Sequence, residues 1–431
     1  MSFVLTTIRR FLCVYIGILS AWTLQAKDAE INPFGCEVEA GTVLMIDVPT
    51  GRVLFSKNPH KIIHPASTTK IATALLAYEK LKNRLDESVE ITRDMVGAVS
   101  PSKKIASGYT LPAHWIETAS THMGLKVGEI MTVHDLLRGS LIVSANDASN
   151  ALALISCGSY SNFVQELNDK AKALGCLNTN FVNAHGLYMP DHVTTVYDLA
   201  ILGRALLLES DLSDIVNTRS FKRPPTNKQE AALMHNTSLI RPPGKIYYSK
   251  ACGVKIGYTV HSGGSLVAAA KDDSRYVLVS LSDCSSVAKC FEEAKTLMEM
   301  ALEEKKVEKV YFKAGTPLAA QRKIQGGGDL LQALVKDSVK VSFYPSEEVS
   351  YKGQVTWETL VPPVKKGQYV GRVEIVDPQQ NVLASSILVA MNDVDPALGF
   401  QVAHWIKNHS LRALALALGI LVICFLILRK R

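Results

Sequence analysis

The chain has 431 residues and a formal net charge of +7, with 47% hydrophobic and 20% charged residues. This length allows two or three domains, and the composition is that of an ordinary globular protein apart from the two ends, so the chain can bury a sizeable core. Without Arg9 and Arg10 the charge falls to +5, and without the last three residues it falls to +2, which excludes a nucleic-acid binder on charge grounds.

The first 26 residues have the order of a secretory signal. Arg9 and Arg10 precede an apolar run from Phe11 to Trp22, and the segment ends at the small residue Ala26. Charge, apolar core and small residue in this order are typical of a cleaved export signal. We therefore predict a signal peptide over residues 1–26.

The C-terminal end is apolar. Ala413 to Leu428 is a run of sixteen residues without a charge, followed by three basic residues. At about 1.5 Å per residue this run is slightly short for a hydrocarbon core of ~30 Å, although Leu411 and Arg412 extend it. We predict an anchor in the cytoplasmic (inner) membrane within residues 398–431, with its basic end in the cytoplasm. The rest of the mature chain then lies on the periplasmic side.

Six cysteines lie between these two segments, where an oxidising compartment permits disulfides. They are Cys36, Cys157, Cys176, Cys252, Cys284 and Cys290. Six cysteines allow fifteen pairings, and their spacing does not resemble a zinc site, so the connectivity stays open.

The first predicted elements are a hairpin and a helix. The segments TVLMIDV and RVLFSK flank Pro49-Thr50-Gly51, which is a hairpin signature. Apolar residues then recur at helical spacing up to Leu81, after a proline and a cluster of Ser and Thr, so a helix begins close to Ser67. Residues 95–125 are rich in Gly, Pro, Ser and Lys, and we predict a long loop there.

Further helices and strands follow. Capping patterns predict helices at VHDLLRGSLIV after Thr132, at NFVQELNDKAKAL opened by Ser161, and at VYDLAILGRALL after Thr195. Strands are predicted within residues 253–281, and FEEAKTLMEMALEE is a closing helix. Strands from both ends of a region with helices between them indicate an α/β layer fold.

The sequence pattern changes after this helix. Short alternating runs such as VKVSFYP and YVGRVEIVD are punctuated by Gly and Pro, which predicts a separate small all-β domain. The predicted organisation is therefore an α/β domain over 27–303, a β-rich domain over 304–397 and the anchor over 398–431.

Three Ser-x-x-Lys sets occur in the chain, at Ser67–Lys70, Ser100–Lys103 and Ser286–Lys289. Only Ser67 opens an apolar helix directly after a hairpin. A spacing of three on a helix places Ser67 and Lys70 on one face, within reach for proton transfer. This pair is the candidate nucleophile and base.

Two further motifs follow along the chain. Ser144-Ala145-Asn146 lies in a break between two predicted helices, where a simple helix cap is the alternative explanation. Lys255-Ile256-Gly257 lies at the edge of a strand, where the lysine alone could be a solvated cation. Together and in this order, the three motifs are the set found in penicillin-interacting serine enzymes.

With these motifs the chain resembles the low-molecular-mass penicillin-binding proteins of the D-alanyl-D-alanine carboxypeptidase family. The resemblance extends over HPASTTKIATALLA, IVSANDASNALA, LNTNFVNAHGL, GVKIGYTVHSGGSLVAAA and VKKGQYVGRVEI. It implies an α/β penicillin-binding or β-lactamase-like transpeptidase domain, in which an antiparallel sheet has helices on both faces and a helical insertion. A small all-β domain and a C-terminal membrane helix would follow.

The resemblance also implies an activity. The chain would be a serine-type D-Ala-D-Ala carboxypeptidase that removes the terminal D-alanine from peptidoglycan stem pentapeptides through an acyl-enzyme. It would need no cofactor or metal, and β-lactam antibiotics would bind it.

The resemblance assigns a role to each motif residue. Ser67 would attack the carbonyl between two D-alanines with Lys70 as general base, and Ser144 would pass the proton to the leaving D-alanine. Backbone N–H groups of Ser67 and Tyr258 would form the oxyanion hole. The implied substrate-binding residues are Asn146, Lys255, Gly257, Tyr258 and Thr259.

Several positions depart from the family pattern or have simpler explanations. The family has Thr or Ser where this chain has Ile256, and it usually carries an Arg after the last strand, where SDCSSVAKC has none. His185 is interpreted as a turn residue, and Asp198 as part of a helix cap.

Two alternative functions stay open. A β-lactamase would share the three motifs but would need a Glu aimed at the hydrolytic water, and Glu166 in the only Glu-Leu-Asn of the chain is predicted to lie on a solvated helix face. A non-catalytic wall-binding scaffold is favoured only if Ile256 abolishes catalysis.

Overall fold

The computed structural model describes residues 30–237, 247–347, 351–377 and 380–409, with a few positions between 412 and 423. The predicted signal peptide and half of the uncharged run from Ala413 to Leu428 lie outside the described residues. The chain divides into two compact units, Met1–Glu303 and Glu304–Arg431.

The first unit begins with the predicted hairpin. Strands β1 (Thr42–Asp47) and β2 (Val53–Lys57) pair in antiparallel fashion. The Asp47 carboxylate accepts a hydrogen bond from the backbone N–H of Thr50 at 2.9 Å, and Gly51 adopts a φ of +74°. A glycine suits this left-handed turn position, since it has no Cβ to clash.

A mainly helical region follows, as predicted. Its helices are α1 (Thr69–Leu81), α2 (Pro101–Ala106), α3 (Val133–Arg138), α4 (Asn146–Cys157), α5 (Tyr160–Ala173), α6 (Val196–Leu208) and α7 (Ser210–Val216). Four short strands lie between them, β3 (Ser88–Glu90), β4 (Ala98–Val99), β5 (Ile116–Glu117) and β6 (Ile130–Thr132), and two more follow α7, β7 (Ser220–Arg223) and β8 (Ala232–His235).

Two sequence predictions need correction in this region. The predicted loop over 95–125 contains helix α2, because Ser100 accepts a hydrogen bond from the Lys103 N–H and Pro101 occupies the first helical position. Helix α5 is capped by Ser159 and not by Ser161, since the Ser159 hydroxyl accepts from the Asn162 N–H at 3.2 Å.

The chain then completes a five-stranded antiparallel sheet. Strands β9 (Ala251–Thr259), β10 (Gly263–Lys271) and β11 (Tyr276–Cys284) join the first hairpin in the order β2-β1-β11-β10-β9. Strand β1 pairs with β11 in a register that places Met45 opposite Val279. Strand β9 is therefore an edge strand, and both ends of the unit contribute to one sheet, as the α/β prediction requires.

Helices cover both faces of this sheet. Helix α8 (Val287–Glu303) packs on one face through an apolar cluster that includes Phe291 and Leu297. Helix α6 packs on the other face, where Gly203 lies against Val267 and Leu278. Helix α1 belongs to the same apolar cluster as α6, so its N-terminal end is held firmly beside the sheet.

The structure selects one cysteine pairing among those that the sequence left open. Cys284 at the end of β11 forms a disulfide with Cys290 in α8. The other four cysteines that the structure describes, Cys36, Cys157, Cys176 and Cys252, are free thiols.

The described part of the second unit is a small all-β domain followed by one helix. The elements are β12 (Val307–Phe312), β13 (Arg322–Lys323), β14 (Leu330–Leu331), β15 (Ala333–Val335), β16 (Val339–Phe343), β17 (Lys352–Trp357), β18 (Tyr369–Val376), β19 (Val382–Ala390) and α9 (Leu398–Asn408). Strands β15, β19, β18 and β17 form a four-stranded antiparallel sheet in that order. Within the described ranges, no helix has the length and apolar character needed to cross a membrane.

Candidate active site

Ser67 lies in a single 3-10 turn, Ala66–Thr68, that leads directly into helix α1. Its side chain is half-buried, whereas Lys70, one turn further along, is 0% exposed. Lys70 Nζ lies 3.0 Å from Ser67 Oγ. The spacing of three residues thus brings the predicted nucleophile and base into hydrogen-bonding distance.

Two further oxygen atoms surround Lys70 Nζ. It lies 2.7 Å from Asn146 Oδ1 and 2.6 Å from the backbone carbonyl of His185. The Asn146 amide is oriented by its other end, because Nδ2 donates to Ser120 Oγ at 2.9 Å. The amide oxygen therefore faces the lysine and can only accept.

This arrangement matches a neutral lysine amine. A neutral amine has two N–H donors and one lone pair, and two of its three neighbours, Asn146 Oδ1 and the His185 carbonyl, are oxygens that can only accept. The third neighbour is a hydroxyl, which can donate its hydrogen to the remaining lone pair. In the neutral form the lone pair of Lys70 is thus left for Ser67 Oγ, whereas the ammonium form would donate to all three oxygens.

The electrostatic environment acts in the same direction. Burial lowers the pKa of Lys70 well below its usual range, the nearby positive charge of Lys255 lowers this pKa further, and Asp147 opposes both effects. Lys255 is itself 1% exposed, and burial lowers its pKa to about 7. Desolvation favours the neutral form of an amine, so the site favours Lys70 as a proton acceptor.

Asp147 has a structural role beside this pair. Its carboxylate is buried and accepts hydrogen bonds from the backbone N–H groups of Met123 and Leu125, both at 3.0 Å. It thereby fixes the segment that carries Ser120 to the start of helix α4. Sequence reasoning had singled out only its neighbour Asn146.

Gly257 on the edge strand β9 faces the nucleophile. A Cβ atom at this position would lie 2.7 Å from the backbone nitrogen of Ser67, which is closer than any side chain tolerates. Lys255 precedes it on the same strand, and its Nζ lies 3.2 Å from the Ile256 carbonyl. The glycine of the Lys-Ile-Gly motif is thus required for the strand to approach Ser67.

Ser144 occupies a special backbone position before Asn146. It adopts a left-handed conformation with φ 69° and ψ 29° and is nearly buried. Among the described residues, no hydrogen bond joins its hydroxyl to Ser67 or Lys70. Its predicted part in proton transfer therefore stays a prediction.

Tyr258 and Thr259 line a cleft of about 510 Å³ beside the site. Tyr258 is 58% exposed, whereas the Thr259 hydroxyl is engaged with Ser262 Oγ at 2.7 Å in the β9–β10 turn. Aromatic rings form much of the opposite wall, where Tyr188 stacks on His261 with ring centroids 4.1 Å apart. Ser120 also lines this cleft, so the cleft opens next to the Lys70 cluster.

Ile256 points away from this cleft. Its half-buried side chain packs against the apolar cluster between the sheet and helix α8. Nearby charges are paired, since Asp283 contacts Lys61 at 2.7 Å and Lys289 lies 3.9 Å from Glu292. The Thr or Ser hydroxyl that the family carries at this position is absent, because residue 256 is an isoleucine.

The other two Ser-x-x-Lys sets have structural explanations. Ser100 Oγ accepts from the Lys103 N–H at 3.3 Å, and Ser286 Oγ accepts from the Lys289 N–H at 3.2 Å. Both serines thus cap the first turn of a helix. The hairpin-then-helix context therefore distinguishes Ser67 from them.

Two residues do more than the sequence suggested. His185, interpreted as a turn residue, is fully buried and supplies the carbonyl that contacts Lys70. Asp198 does join the helix cap at Thr195, but its carboxylate also accepts from the Asn178 N–H and the Thr179 hydroxyl. Neither backbone contacts nor long-range contacts of this kind leave a pattern in the sequence.

No metal site accompanies this cluster. In the part of the chain that the structure describes, no group of three His, Cys, Asp or Glu residues is placed to hold a metal ion.

Two family models match the chain. Residues 26–284 match the family described as D-alanyl-D-alanine carboxypeptidase, and residues 307–396 match the family described as penicillin-binding protein 5, C-terminal domain. Among curated relatives, D-alanyl-D-alanine carboxypeptidase DacA of Haemophilus influenzae is 29% identical over 91% of this chain and 94% of its own length. DacF of Bacillus subtilis is 28% identical over 83% of this chain and 87% of its own length.

Solved structures with the same fold include two from this group. The D-alanyl-D-alanine carboxypeptidase DacD from Francisella tularensis has a TM-score of 0.59 and 23% identity, covering 86% of this chain and 97% of that one. Penicillin-binding protein 5 from Haemophilus influenzae has a TM-score of 0.57 and 24% identity, covering 84% and 98% respectively. At this level of identity the likeness establishes the fold.

The lowered lysine pKa values predict that stability rises with pH. Between about pH 7 and pH 9 the unfolded chain holds a proton on Lys255 that the folded protein has lost, so the free energy of unfolding increases with pH by up to ~1.4 kcal/mol per unit for one proton. Urea denaturation at several pH values measures this slope. Lys255→Met should lower this slope by up to that amount and leave the contribution of Lys70, whereas Lys222→Met removes an exposed lysine and controls for the lost charge. Equal slopes in the parent protein and in both variants would contradict the loss of the Lys255 proton on folding.

Proposed function

The chain belongs to the D-alanyl-D-alanine carboxypeptidase family and is a serine-type hydrolase of that kind, and we propose that Ser67 and Lys70 carry out its chemistry. The substrate is the terminal D-Ala-D-Ala of a peptidoglycan stem pentapeptide. The observation that supports these roles is the set of contacts around Lys70 Nζ, in which two oxygens that can only accept leave the lone pair for Ser67 Oγ.

The reaction begins with proton transfer. Ser67 Oγ attacks the carbonyl carbon of the penultimate D-alanine while its hydrogen passes to Lys70 Nζ. A general base in this position contributes roughly 10²–10⁴ in rate. The negative charge on the carbonyl oxygen is stabilised by the backbone N–H groups of Ser67 and Tyr258, where each donor is worth on the order of 10²–10³.

The tetrahedral intermediate then collapses. The C–N bond breaks, and the proton reaches the leaving amine of D-alanine through Ser144, which we assign as the relay. Ser67 retains the acyl group until water hydrolyses the ester, with Lys70 again as the base. β-Lactam antibiotics acylate the same serine and remain bound when this hydrolysis is slow.

The substrate lies in the cleft beside the lysine cluster. The cleft has a volume of about 510 Å³ and is lined by Ser120, Tyr188 and Tyr258, so it offers aromatic surface and a few polar groups to a peptide. Lys255, with a pKa lowered to about 7, provides a positive charge for the terminal carboxylate in its protonated form, and the bound carboxylate favours that form. Asn146 is placed to contact both Lys70 and the substrate amide.

A β-lactamase is the less favoured interpretation of the same three motifs. Glu166, the candidate for activating water, is paired with Lys80 on the exposed face of helix α5. Time-resolved mass spectrometry of the protein with a penicillin separates the alternatives. A persistent adduct on Ser67 supports the carboxypeptidase, rapid turnover indicates a lactamase, and no adduct indicates a scaffold.

We further propose that the enzyme is exported and held at the outer face of the cytoplasmic membrane by its C-terminal end. The order of residues 1–26 and the uncharged run from Ala413 to Leu428 support this proposal. The preceding helix α9 presents apolar side chains to solvent, including Val402 at 51% and Ile406 at 47% exposure. An apolar face of this kind is suited to a lipid surface.

Ser67→Ala is expected to abolish both D-alanine release and covalent penicillin labelling, because the substitution removes the attacking oxygen. Ser100→Ala and Ser286→Ala are matched controls, since each removes a serine of a Ser-x-x-Lys set that only caps a helix. Both should keep nearly full activity. Labelling that survives in Ser67→Ala would place the nucleophile elsewhere.

Ile256→Thr should leave the rate of acylation close to that of the parent protein, because the side chain at residue 256 packs against the α8 cluster and a hydroxyl there does not face the cleft. A hydrogen bond to a charged group is worth about 1.5–3 kcal/mol, so a hydroxyl that did bind the substrate carboxylate would raise kcat/KM roughly 10- to 100-fold. Ile256→Val has nearly the same shape as the Thr variant without the hydroxyl and is the control for lost packing. A Thr variant that reacts roughly 10- to 100-fold faster than the Val variant would show that residue 256 faces the carboxylate.

Deletion of residues 398–431 should release a soluble protein with unchanged activity on small peptides. The residues assigned to catalysis and binding all lie before Glu303, within the first compact unit. Fractionation of cells that express the full and the shortened chain measures the distribution. A shortened protein that stays with the membrane would contradict an anchor in this segment.

A further inference from the structure

The peptide group between Ala66 and Ser67 occupies an unusual position at the nucleophile. Its carbonyl belongs to Ala66 and its N–H to Ser67, and a trans peptide points these two groups in opposite directions. Ala66 has a φ of +49°, a left-handed conformation that is uncommon for a residue other than glycine. Surrounding contacts must therefore hold this peptide in place.

The carbonyl side of this peptide is held by Thr69 and Gly186. Thr69 Oγ1 donates to the Ala66 carbonyl at 2.8 Å, and the Thr69 backbone N–H donates to the same oxygen. Gly186, with a φ of +86°, packs so closely that a Cβ there would lie 1.8 Å from this oxygen. The carbonyl therefore has little freedom to rotate.

His192 sets the direction of the Thr69 hydroxyl. The backbone N–H of Val182 donates to His192 Nδ1 at 3.0 Å, so in the neutral ring the hydrogen is on Nε2. Nε2 lies 2.8 Å from Thr69 Oγ1 and donates to it, which leaves the hydroxyl hydrogen for the Ala66 carbonyl. His192 is nearly fully buried, and burial lowers its pKa to about 3, so this neutral tautomer persists over the working pH range.

The opposite side of the peptide faces the substrate. The Ser67 nitrogen lies next to strand β9, where a Cβ on Gly257 would come within 2.7 Å of it. Any rotation of the peptide that freed the Ala66 carbonyl would also turn the Ser67 N–H away from this edge. The orientation of the Ser67 N–H is thus coupled to contacts made on the far side of the peptide plane.

We propose that Thr69 and His192 are positioning residues that aim the Ser67 N–H at the oxyanion of the reaction. They do not touch the substrate, and they act by fixing the Ala66 carbonyl. This inference rests on the proposed function of Ser67 and extends it to two residues outside the three motifs.

The test compares Thr69→Val, which removes only the hydroxyl, with Thr69→Ser, which retains it. Stopped-flow acylation by a chromogenic cephalosporin gives the rate constant and the non-covalent Kd separately. Misaligned reacting groups cost up to about 100-fold, so Thr69→Val should lose roughly 10- to 100-fold in rate constant with Kd unchanged. Thr69→Ser should restore most of the rate. The midpoint of the pH profile should stay in place, because all three neighbours of Lys70 Nζ are untouched.

A second pair of variants keeps the test valid if Thr69→Val folds poorly. His192→Leu removes the donor to Thr69, whereas His192→Gln retains an N–H in its place, so the first should slow acylation several-fold more than the second. Thr179→Val controls for general loss of a hydrogen-bonded hydroxyl, since Thr179 bonds Asp198 and Thr194. Thermal melts of each variant confirm that it is folded.

Three results would overturn the inference. They are a folded Thr69→Val that acylates at the parent rate, a Thr69→Ser as slow as Thr69→Val, and a shifted pH midpoint, which would place the effect at Lys70. A parent protein that the cephalosporin never labels would instead overturn the proposed function. The two failures are distinct, because the variants are expected to slow labelling without abolishing it.

Discussion

The catalytic site depends on the burial of one amine. Lys70 Nζ has no exposure to solvent and lies between Ser67 Oγ, Asn146 Oδ1 and the His185 carbonyl. Burial disfavours the ammonium form of Lys70. In the neutral amine, the two hydrogens are donated to Asn146 Oδ1 and the His185 carbonyl, which can only accept. The same constraint therefore sets both the protonation state of the base and the direction of its lone pair.

The rest of the first unit supplies the three neighbours of this amine from separate parts of the chain. The 3-10 turn before helix α1 provides Ser67 and the first turn of α1 provides Lys70. The start of helix α4 provides Asn146, and a turn 115 residues beyond Lys70 provides the His185 carbonyl. The edge strand β9 brings a second buried cation, Lys255, and a glycine that allows close approach. Packing of α1 and α6 on one face of the sheet holds these parts in register.

Sequence patterns predicted the fold and the motif residues because both rest on local spacing. The hairpin before Ser67, the helix that follows and the capping pair at Thr195 and Asp198 are all short-range features. The contacts that complete the site are not. A backbone carbonyl such as that of His185 has no residue-type signature, and the contact of Thr69 with His192 joins residues 123 positions apart. The pairing of Cys284 with Cys290 was open for the same reason, since it depends on where helix α8 meets strand β11.

The most direct test of this account is the charge on Lys70 itself. Side-chain ¹⁵N NMR of lysine-labelled protein, with the resonance assigned by its loss in Lys70→Met, reports whether Nζ is an amine or an ammonium. The account predicts that Lys70 loses its proton at a clearly lower pH than an ordinary exposed lysine, since burial and Lys255 both lower its pKa. A Lys70 ammonium signal that persists up to the pH at which exposed lysines titrate would contradict it, because such a lysine is a poor acceptor for the proton of Ser67.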